Sequence, residues 1–520
     1  MFDTVILGGT VVDGTGAPRR RADVGIRDGR VEAIGSLPDA DARARLDASG
    51  LIVAPGFVDT HVHSEIALLG HGYRFGSVLQ GVTTHFTSPD GFGWAPLPPE
   101  LAHELWQTTL FAVGHAPIVP HWRTIDSYLS VFPGNTPVNI APQAPHCAIR
   151  LGAMGWAGRA ATEGELEAMK GMLEAWLDAG AVAISLGLDY QPSAFADLRE
   201  LVALAKVAGG RGAVYNAHIR NNILGREGAW RETLEIGRRS GTPVHIAHEY
   251  VNEVTEPLLD AAPAICDLSF ESYLYPAGST HLQFALPTWA QQGGQRALRA
   301  RLEDPVQRRQ IRDAMQQALS TSVASGTRQV IAANRTGRYI GMTLDEAAAA
   351  EGEMLGDFAV RMFEEEEPYV LTINHRPGGP EVHDRMVELT ARHPLMMVAS
   401  DGIYHGPHPH PRALGCHARV LRMVVRERKL LSLEQAVHKM TGMPAERFHL
   451  DRRGMLKPGY GADIVLFDEA TVADRSTWDE PLLEPVGIRR VLVNGETVIE
   501  DGRPTGKLPG RIVTRQSRSA

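Results

Sequence analysis

Residues 55–63 read Pro-Gly-Phe-Val-Asp-Thr-His-Val-His, and this stretch constrains the fold more than any other part of the chain. The apolar run 51–53 and its continuation at 57–58 predict a buried strand that ends near Thr60. His61 and His63 follow two residues apart in extended chain, so both imidazoles point the same way. That geometry suits two ligands of one metal ion at the open end of a strand. The alternative for the pair alone is two partly buried polar residues.

The composition narrows the class of protein. A chain of 520 residues is too long for one compact core, which predicts a large barrel with a second, smaller domain. With 43% hydrophobic and 22% charged residues and a net charge of −9, it reads as an ordinary enzyme that binds neither nucleic acid nor an anionic membrane. No apolar run has transmembrane or signal-peptide character, and three cysteines in no metal-type spacing fit a reducing cytoplasm. A homo-oligomer is left open.

The two ends of the chain share one pattern. Short β-type runs separated by Gly-rich turns fill residues 3–54, and similar runs return at 463–467, 487–494 and 496–500. Two similar strand clusters at opposite ends predict a single small β-sandwich assembled from both termini. We therefore expect its N-terminal part at 1–54 and its C-terminal part at 455–520.

Between these ends the pattern changes to strands that alternate with helices. Thr162 with Glu165, and Ser432 with Gln435, form capping boxes ahead of apolar residues at helical spacing. Strand followed by helix over this length predicts an α/β fold, a (β/α)8 TIM barrel spanning residues 55–454.

In such a barrel the chemistry lies at the carboxyl ends of the strands. Candidate side chains follow predicted strands at Asp90, His218, His248 and Asp401, in addition to the two histidines of the opening motif. Each alone has an ordinary structural explanation, such as a hydrogen-bonded core histidine or a turn at Asp401-Gly402. Together they predict one or two divalent ions held by imidazole and carboxylate, with the ligand set His61, His63, Asp90, His218, His248 and Asp401.

At these residues the sequence resembles the amidohydrolase superfamily, and more narrowly the N-acyl-D-amino-acid deacylase (D-aminoacylase) group. The resemblance runs over nearly the whole chain, through PGFVDTHVH at 55–63, SLGLDYQPSAF at 185–195, YNAHIR at 215–220, YPAGSTHLQFALPTWAQQGG at 275–294, HPRALG at 410–415 and RRGMLKPGYGADIVLFD at 452–468. It implies a barrel, a terminal β-sandwich and a segment inserted near the barrel mouth, which we place at about 275–370.

The chain departs from this group in three places. Asp90, in Ser-Pro-Asp-Gly, stands where the group usually carries a cysteine ligand, Tyr250 follows Glu249 where a lysine helps to hold the substrate carboxylate, and Asn221-Asn222 replaces an acidic pair. A carboxylate in place of a thiolate gives a harder site, suited to Zn²⁺ and also to Mn²⁺ or Co²⁺. The alternative is that Asp90 binds no metal. Whether one ion or two binds stays open, because no lysine follows the fourth strand as a bridge.

The mechanism implied by these ligands is metal-assisted hydrolysis of an amide. The ion would lower the pKa of a water molecule to roughly 7, and Asp401 would act as the catalytic base that takes its proton and delivers it to the leaving nitrogen. Candidates for hydrogen bonds to the substrate are Tyr190, Arg220, Tyr250, Tyr273, Tyr275 and Arg412, the last through a bidentate contact with a carboxylate.

Three functions remain at this point. The first is hydrolysis of a C–N amide bond in an N-acyl amino acid or related small-molecule amide. The second is hydrolysis of a cyclic amide, an imide or an amide of a secondary metabolite, which the loss of the group's lysine leaves open. The third is a non-catalytic scaffold on the same fold, although such scaffolds tend to lose the ligands that this chain keeps.

Overall fold

The computed structural model describes residues 1–70, 75–114, 118, 120–366 and 369–516. The last four residues of the predicted C-terminal part and two residues of the predicted insertion, 367 and 368, therefore lie outside the described residues. Within the described part, no helix combines the length and the apolar character needed to cross a membrane.

Parallel strands form the centre of the molecule. One sheet has the order Asn139–Ala141, Val82–Phe86, Phe57–Asp59, and a second has the order Gln143–Pro145, Ala183–Gly187, Val214–His218, Val244–Ile246, Leu268–Ser272, Met396–Val398. The short strand Val62–His63 pairs in parallel with Gly402–Ile403, which joins the end of the last of these strands to the first. The strands are buried throughout, as expected for parallel strands covered on both faces.

Helices alternate with these strands along the chain. Both predicted capping boxes are confirmed: Thr162 accepts from the backbone of Glu165, and Ser432 from that of Gln435. The helices around the parallel strands are Glu65–Leu69, Pro99–Thr108, Leu110–Val113, Ile125–Leu129, His146–Met154, Glu163–Asp178, Leu198–Gly210, Asn221–Ser240, Glu256–Ala261, Pro380–Arg392, Arg412–Arg419, Leu433–Met440 and Gly442–Arg447, with a π-helix at Val420–Glu427.

The terminal strands form two further sheets. Their orders are Arg30–Gly35, Asp23–Arg27, Phe2–Leu7, Ala42–Asp47 and Arg503–Pro504, Glu496–Glu500, Ile488–Val493, Ile464–Phe467, Ile52–Pro55, Thr10–Val11, Arg20–Arg21. In the second sheet Ile52–Pro55 pairs antiparallel with Ile464–Phe467, so strands from both ends of the chain are neighbours. Both sheets contribute to one hydrophobic cluster, which includes Ile6, Val24, Val53, Ile464 and Leu492.

Residues 277–375 add a smaller layer beside the parallel strands. It has an antiparallel sheet in the order Ala277–His281, Leu371–His375, Arg328–Ala333, and helices Thr288–Gln291, Gly294–Glu303, Pro305–Ala324, Leu344–Glu351 and Leu355–Glu366. Most apolar side chains of its helices form a cluster of their own, while strand residues such as Val330 and Ile373 join the main core.

A buried polar network holds the terminal sheets against the parallel strands. Asp463 accepts from the Arg453 guanidinium, from the Asn139 side chain at 3.0 Å and from the Asn494 backbone at 2.8 Å. The Asn494 side chain in turn donates to Asn139 at 2.7 Å. Asn139 belongs to a parallel strand, so this carboxylate joins the two parts of the molecule.

We expect Asp463→Ala to lower the free energy of unfolding by about 3 kcal/mol, because removing one partner of a buried, hydrogen-bonded ion pair leaves Arg453 uncompensated. Denaturant unfolding followed by circular dichroism measures the change. Asp479→Ala, at an exposed carboxylate, is the control and should stay within about 0.5 kcal/mol of the unchanged protein. Equal stabilities for both variants would contradict the assignment.

Candidate metal centre

The aspartate of the opening motif fixes the geometry of its two histidines. The Asp59 carboxylate accepts from the backbone N–H of Ser400 at 2.9 Å and lies 3.4 Å from that of His61. The backbone N–H of Asp401 donates to the His61 carbonyl at 2.8 Å. Asp59 thus aligns the last parallel strand with the first, and places Asp401 beside the histidine pair.

The histidine pair faces two carboxylates. His61 Nε2 lies 3.4 Å from Asp90 Oδ1 and 3.7 Å from Asp401 Oδ1, while His63 Nε2 lies 3.5 Å from Asp90 Oδ2 and 3.4 Å from Asp401 Oδ1. The donor atoms of His61, His63 and Asp90 all lie within 4.8 Å of one another. All four side chains are buried.

A second group of donors shares the same aspartate. Asp90 Oδ1 lies 3.7 Å from His218 Nδ1 and 3.9 Å from His248 Nε2, and the two imidazole nitrogens are 2.9 Å apart. Asp90, His218 and His248 form a set whose ligand atoms also lie within 4.8 Å of one another. The six residues predicted as ligands are therefore gathered at one place, with Asp90 between the two sets.

The site has the character of a cation-binding site. Buried polar atoms normally have hydrogen-bond partners, yet within the described chain His61 Nε2 and Asp90 Oδ1 have none. A divalent ion bound by imidazole nitrogen and carboxylate oxygen would satisfy both atoms. This donor set fits zinc and also tolerates manganese or cobalt.

The electrostatics agree with this fit. Burial would raise the pKa of Asp90, but the imidazoles of His61, His218 and His63 hold it well below its usual range. Burial would likewise lower the pKa of His61, and the carboxylates of Asp90, Glu271 and Asp401 instead raise it to about 10. The Asp90 carboxylate therefore stays ionised, as a metal ligand must be, and a bound divalent ion would take the place of the proton that His61 otherwise carries.

Three of the predicted ligands have a strained backbone conformation. Asp90, His248 and Asp401 have positive φ angles of 54°, 41° and 47°, which non-glycine residues adopt at a cost. The turn that carries Asp90 packs tightly on Gly187, where an added Cβ would lie 2.4 Å from the Asp90 carbonyl oxygen. Glu65 fixes the start of this turn by accepting from the Ser88 backbone N–H.

Two carboxylates behind the histidines were not predicted from the sequence. Glu271 Oε1 lies 3.0 Å from His61 Nδ1 and its Oε2 lies 2.9 Å from His245 Nε2, and these imidazoles lower its pKa to about 2 against the effect of burial. Asp189 Oδ2 lies 3.2 Å from His218 Nε2. Such partners orient metal-binding imidazoles. The signal for Glu271 is a lone carboxylate inside the buried strand Leu268–Ser272.

Among the residues predicted to bind substrate, Tyr190 is well placed. Its ring centroid lies 4.7 Å from that of His218, and it lines a small cavity together with Asp189 and Phe284. Tyr250 instead donates to the Tyr275 carbonyl at 2.9 Å, and Tyr275 packs beside His410.

Three of the residues predicted to contact substrate have partners within the chain. Arg412 is fully buried, places one nitrogen 2.7 Å from Asp401 Oδ2 and stacks on the Tyr273 ring. Arg220 pairs with Glu232 at 2.8 Å and donates to the Ala196 carbonyl. In this structure Arg412 contacts Asp401, and its bidentate contact with a substrate carboxylate stays a prediction.

The comparisons with known proteins extend over the whole chain. Residues 45–499 match the sequence model described as "Amidohydrolase family". The chain is 34% identical to D-aminoacylase of Alcaligenes xylosoxydans xylosoxydans, with 99% of this chain and 98% of that protein covered. It is 36% identical to N-acyl-D-glutamate deacylase of the same organism, with 100% and 98% covered.

A solved structure of a related deacylase has a similar fold. The N-acyl-D-glutamate deacylase of Bordetella bronchiseptica, complexed with zinc and a phosphonate inhibitor that mimics the tetrahedral intermediate, superposes with a TM-score of 0.82 at 34% identity and covers 99% of both chains. The present chain has the same mixed α/β fold.

We expect Gly187→Ala to lower the bound divalent metal per chain by at least about half, because the added methyl group displaces the Asp90 turn. Elemental analysis of the purified protein measures the stoichiometry, with His218→Ala/His248→Ala as the reference for a lost site. Gly171→Ala is the control, since a Cβ there meets no atom within 4 Å. Full metal content in Gly187→Ala would show that the close approach does not position Asp90.

Proposed function

The chain belongs to the amidohydrolase family, and on that premise we propose that it is a metal-dependent enzyme that hydrolyses the amide bond of an N-acyl-D-amino acid. The observation that carries the proposal is the pair of donor sets that share Asp90, with Asp401 within 3.7 Å of the first set. Full-length similarity to deacylases favours this function over a cyclic-amide hydrolase or a scaffold.

The proposal includes the architecture around this site. The pairing of Val62–His63 with Gly402–Ile403 supports a closed (β/α)8 barrel over residues 55–454, with an insertion at about 275–370. The mixed terminal sheet supports a β-sandwich built from 1–54 and 455–520. Three free cysteines are consistent with a cytoplasmic enzyme, and the net charge of −9 with a small-molecule substrate rather than nucleic acid or membrane.

The residues proposed to hold the metal are His61, His63, Asp90, His218, His248 and Asp401. When bound, a divalent ion polarises the amide carbonyl and lowers the pKa of a water molecule to roughly 7. Zn²⁺ is the proposed ion, as one or two per chain, since Asp90 lies between both donor sets. Its carboxylate also supports binding of Mn²⁺ or Co²⁺.

Asp401 is proposed to move the proton. Its Oδ1 faces the histidine pair, and its Oδ2 is held by Arg412, so the carboxylate is fixed in one orientation. Burial would raise the pKa of Asp401, but Arg412 and the nearby histidines hold it well below its usual range. The group is therefore ionised and can accept a proton at Oδ1, then return it to the leaving nitrogen.

The direct test is a screen of N-acetyl-D- and N-acetyl-L-amino acids, with cyclic amides alongside, using enzyme loaded with Zn²⁺, Mn²⁺ or Co²⁺. Release of free amino acid from D-substrates is the expected result. Hydrolysis of cyclic amides alone, or no hydrolysis with any ion, would overturn the proposed function.

We expect Asp401→Asn to retain most of its metal and to lose about 10²–10⁴-fold in kcat, because the amide cannot accept a proton. Steady-state kinetics and elemental analysis on the same preparation separate the two effects. Turnover near that of the unchanged enzyme would remove Asp401 from the proton transfer.

We expect Asp90→Cys to bind Zn²⁺ at least as tightly and to lose relative affinity for Mn²⁺, because a thiolate is a softer ligand than a carboxylate. Competition dialysis of both ions against a chelator measures the ratio. If Asp90→Ala alters neither metal content nor turnover, Asp90 is not a ligand.

A further inference from the structure

A cavity of about 270 Å³ lies where the C-terminal part of the chain packs on the parallel-strand region. Residues 474–478, which follow the terminal strand Ile464–Phe467, form part of its lining. Residues 275 and 276, which follow the parallel strand Leu268–Ser272, form another part. Small-molecule sites favour such junctions, and their volumes begin at roughly 300 Å³. Arg419, Arg422 and Arg475 also line this space, which is therefore named the arginine cavity.

Arg419 is fixed in place but has few polar contacts. Its side chain is only 24% exposed, and its guanidinium lies over the Tyr275 ring, 4.4 Å from the centroid. Its ion pair with Asp474 is long, with 3.9 Å between Nη1 and Oδ2. Within the described chain Arg419 makes no hydrogen bond, and its Nε is buried without a partner. Unpaired donors of a partly buried cation are costly, so Arg419 favours an acceptor supplied by a ligand.

The charges around the cavity sum to an excess of cation. Arg422 pairs with Asp474 at 2.6 Å and, on the outer side, with Glu427 at 2.9 Å. Arg475 is exposed and has no ion-pair partner among the described residues. Three arginines therefore stand against two carboxylates, which leaves one positive charge over. In a chain of net charge −9 the composition does not favour such an excess.

Two other cavities at the surface provide a comparison. One, of about 460 Å³, is lined by two arginines and three glutamates, and another, of about 400 Å³, by one arginine and one glutamate. The first therefore carries an excess of anion, and the charges of the second cancel. Of these three cavities, the arginine cavity alone offers a net attraction to an anion.

Much of the remaining lining is apolar. Pro276, Pro411 and the half-buried Trp478 border the same space. The Trp478 ring is held by edge contacts with Tyr275 and His410, at centroid distances of 6.1 and 4.9 Å. An apolar wall next to guanidinium groups suits a ligand that has an anionic end and an apolar body.

We propose that the arginine cavity binds a small organic carboxylate, with the carboxylate at Arg419 and Arg475 and the apolar body against Trp478 and the two prolines. Guanidinium groups pair with carboxylates through charge-assisted and often bidentate hydrogen bonds. Inorganic phosphate or sulfate would use the charges but would leave the apolar wall without a partner. As far as the chain is described, none of the six proposed metal ligands lines this cavity, so the site is independent of the proposed function.

Calorimetric titration of the Zn²⁺-loaded protein with benzoate tests the class of ligand. Benzamide keeps the ring and loses the charge, whereas acetate keeps the charge and loses the ring. We expect benzoate to bind at least about 10-fold more tightly than either, because it alone uses both the arginines and the apolar wall. Equal affinity for benzoate and benzamide, or for benzoate and inorganic phosphate, would overturn the proposed class. Absence of benzoate binding would overturn the site itself.

Substitutions locate the bound benzoate. Arg419→Gln and Arg475→Gln each remove one cation, and the second acts at an exposed side chain, where the fold is little affected. We expect each to weaken benzoate binding about 10-fold, because a charge-assisted hydrogen bond is lost. Arg489→Gln is the matched control, at an exposed arginine outside the lining, and should leave the affinity unchanged. Unchanged affinity in both cavity variants, or an equal loss in Arg489→Gln, contradicts the assignment.

A metal ion also binds carboxylates, so a further titration separates the cavity from the metal centre. Benzoate is added to protein freed of metal by a chelator and to His218→Ala/His248→Ala. Affinity retained in either form supports the cavity, whereas affinity lost in both would place benzoate on the metal and overturn the proposal. Benzoate binding in a protein that hydrolyses no N-acyl amino acid would support the cavity and overturn the deacylase function. Hydrolysis without benzoate binding would do the reverse.

Discussion

The structure depends on the compensation of charge around one buried carboxylate. Asp90 is 3% exposed and lies within 4 Å of nitrogens from four histidines, which come from three different strand ends. The free-energy cost of burying one ionised carboxylate alone would be prohibitive. The cost of burying four unpaired imidazoles with their nitrogens turned inward would be prohibitive as well. When the carboxylate and the imidazoles lie together, a bound cation is all that is needed to balance their charges. Three features help to bring these side chains together: the strained φ angles, the close approach of Gly187 and the carboxylates behind the histidines.

The sequence predicted the parts of the site that depend on local pattern. The spacing of His61 and His63 follows from the period of an extended chain, and His218 and Asp401 could be placed because each adjoins an apolar strand. The capping boxes and most terminal strands follow from equally local signals. The confirmed family assignment came from longer motifs that no single spacing would supply.

The other features of the site depend on which strands become neighbours, and a single sequence does not show this. Glu271 supports His61 across 210 positions, so its role appears only when the two strands are placed side by side. Arg412 was predicted to bind a substrate carboxylate because a guanidinium suits one, and the structure adds a contact with Asp401 that no pattern indicated. A pattern of residue types carries little information about burial at a strand end.

The pairing of Ile52–Pro55 with Ile464–Phe467 has a consequence for synthesis of the chain. The first strand of the central sheet follows directly after Pro55, yet the strand that covers Ile52–Pro55 emerges about 400 residues later. At ordinary elongation rates of 5–20 residues per second this delay is roughly 20–80 s. During that time an apolar strand edge stands open on the ribosome, where it can pair with other chains. Expression of this protein should therefore depend on chaperones that shield the nascent N-terminal strands until the C-terminus arrives.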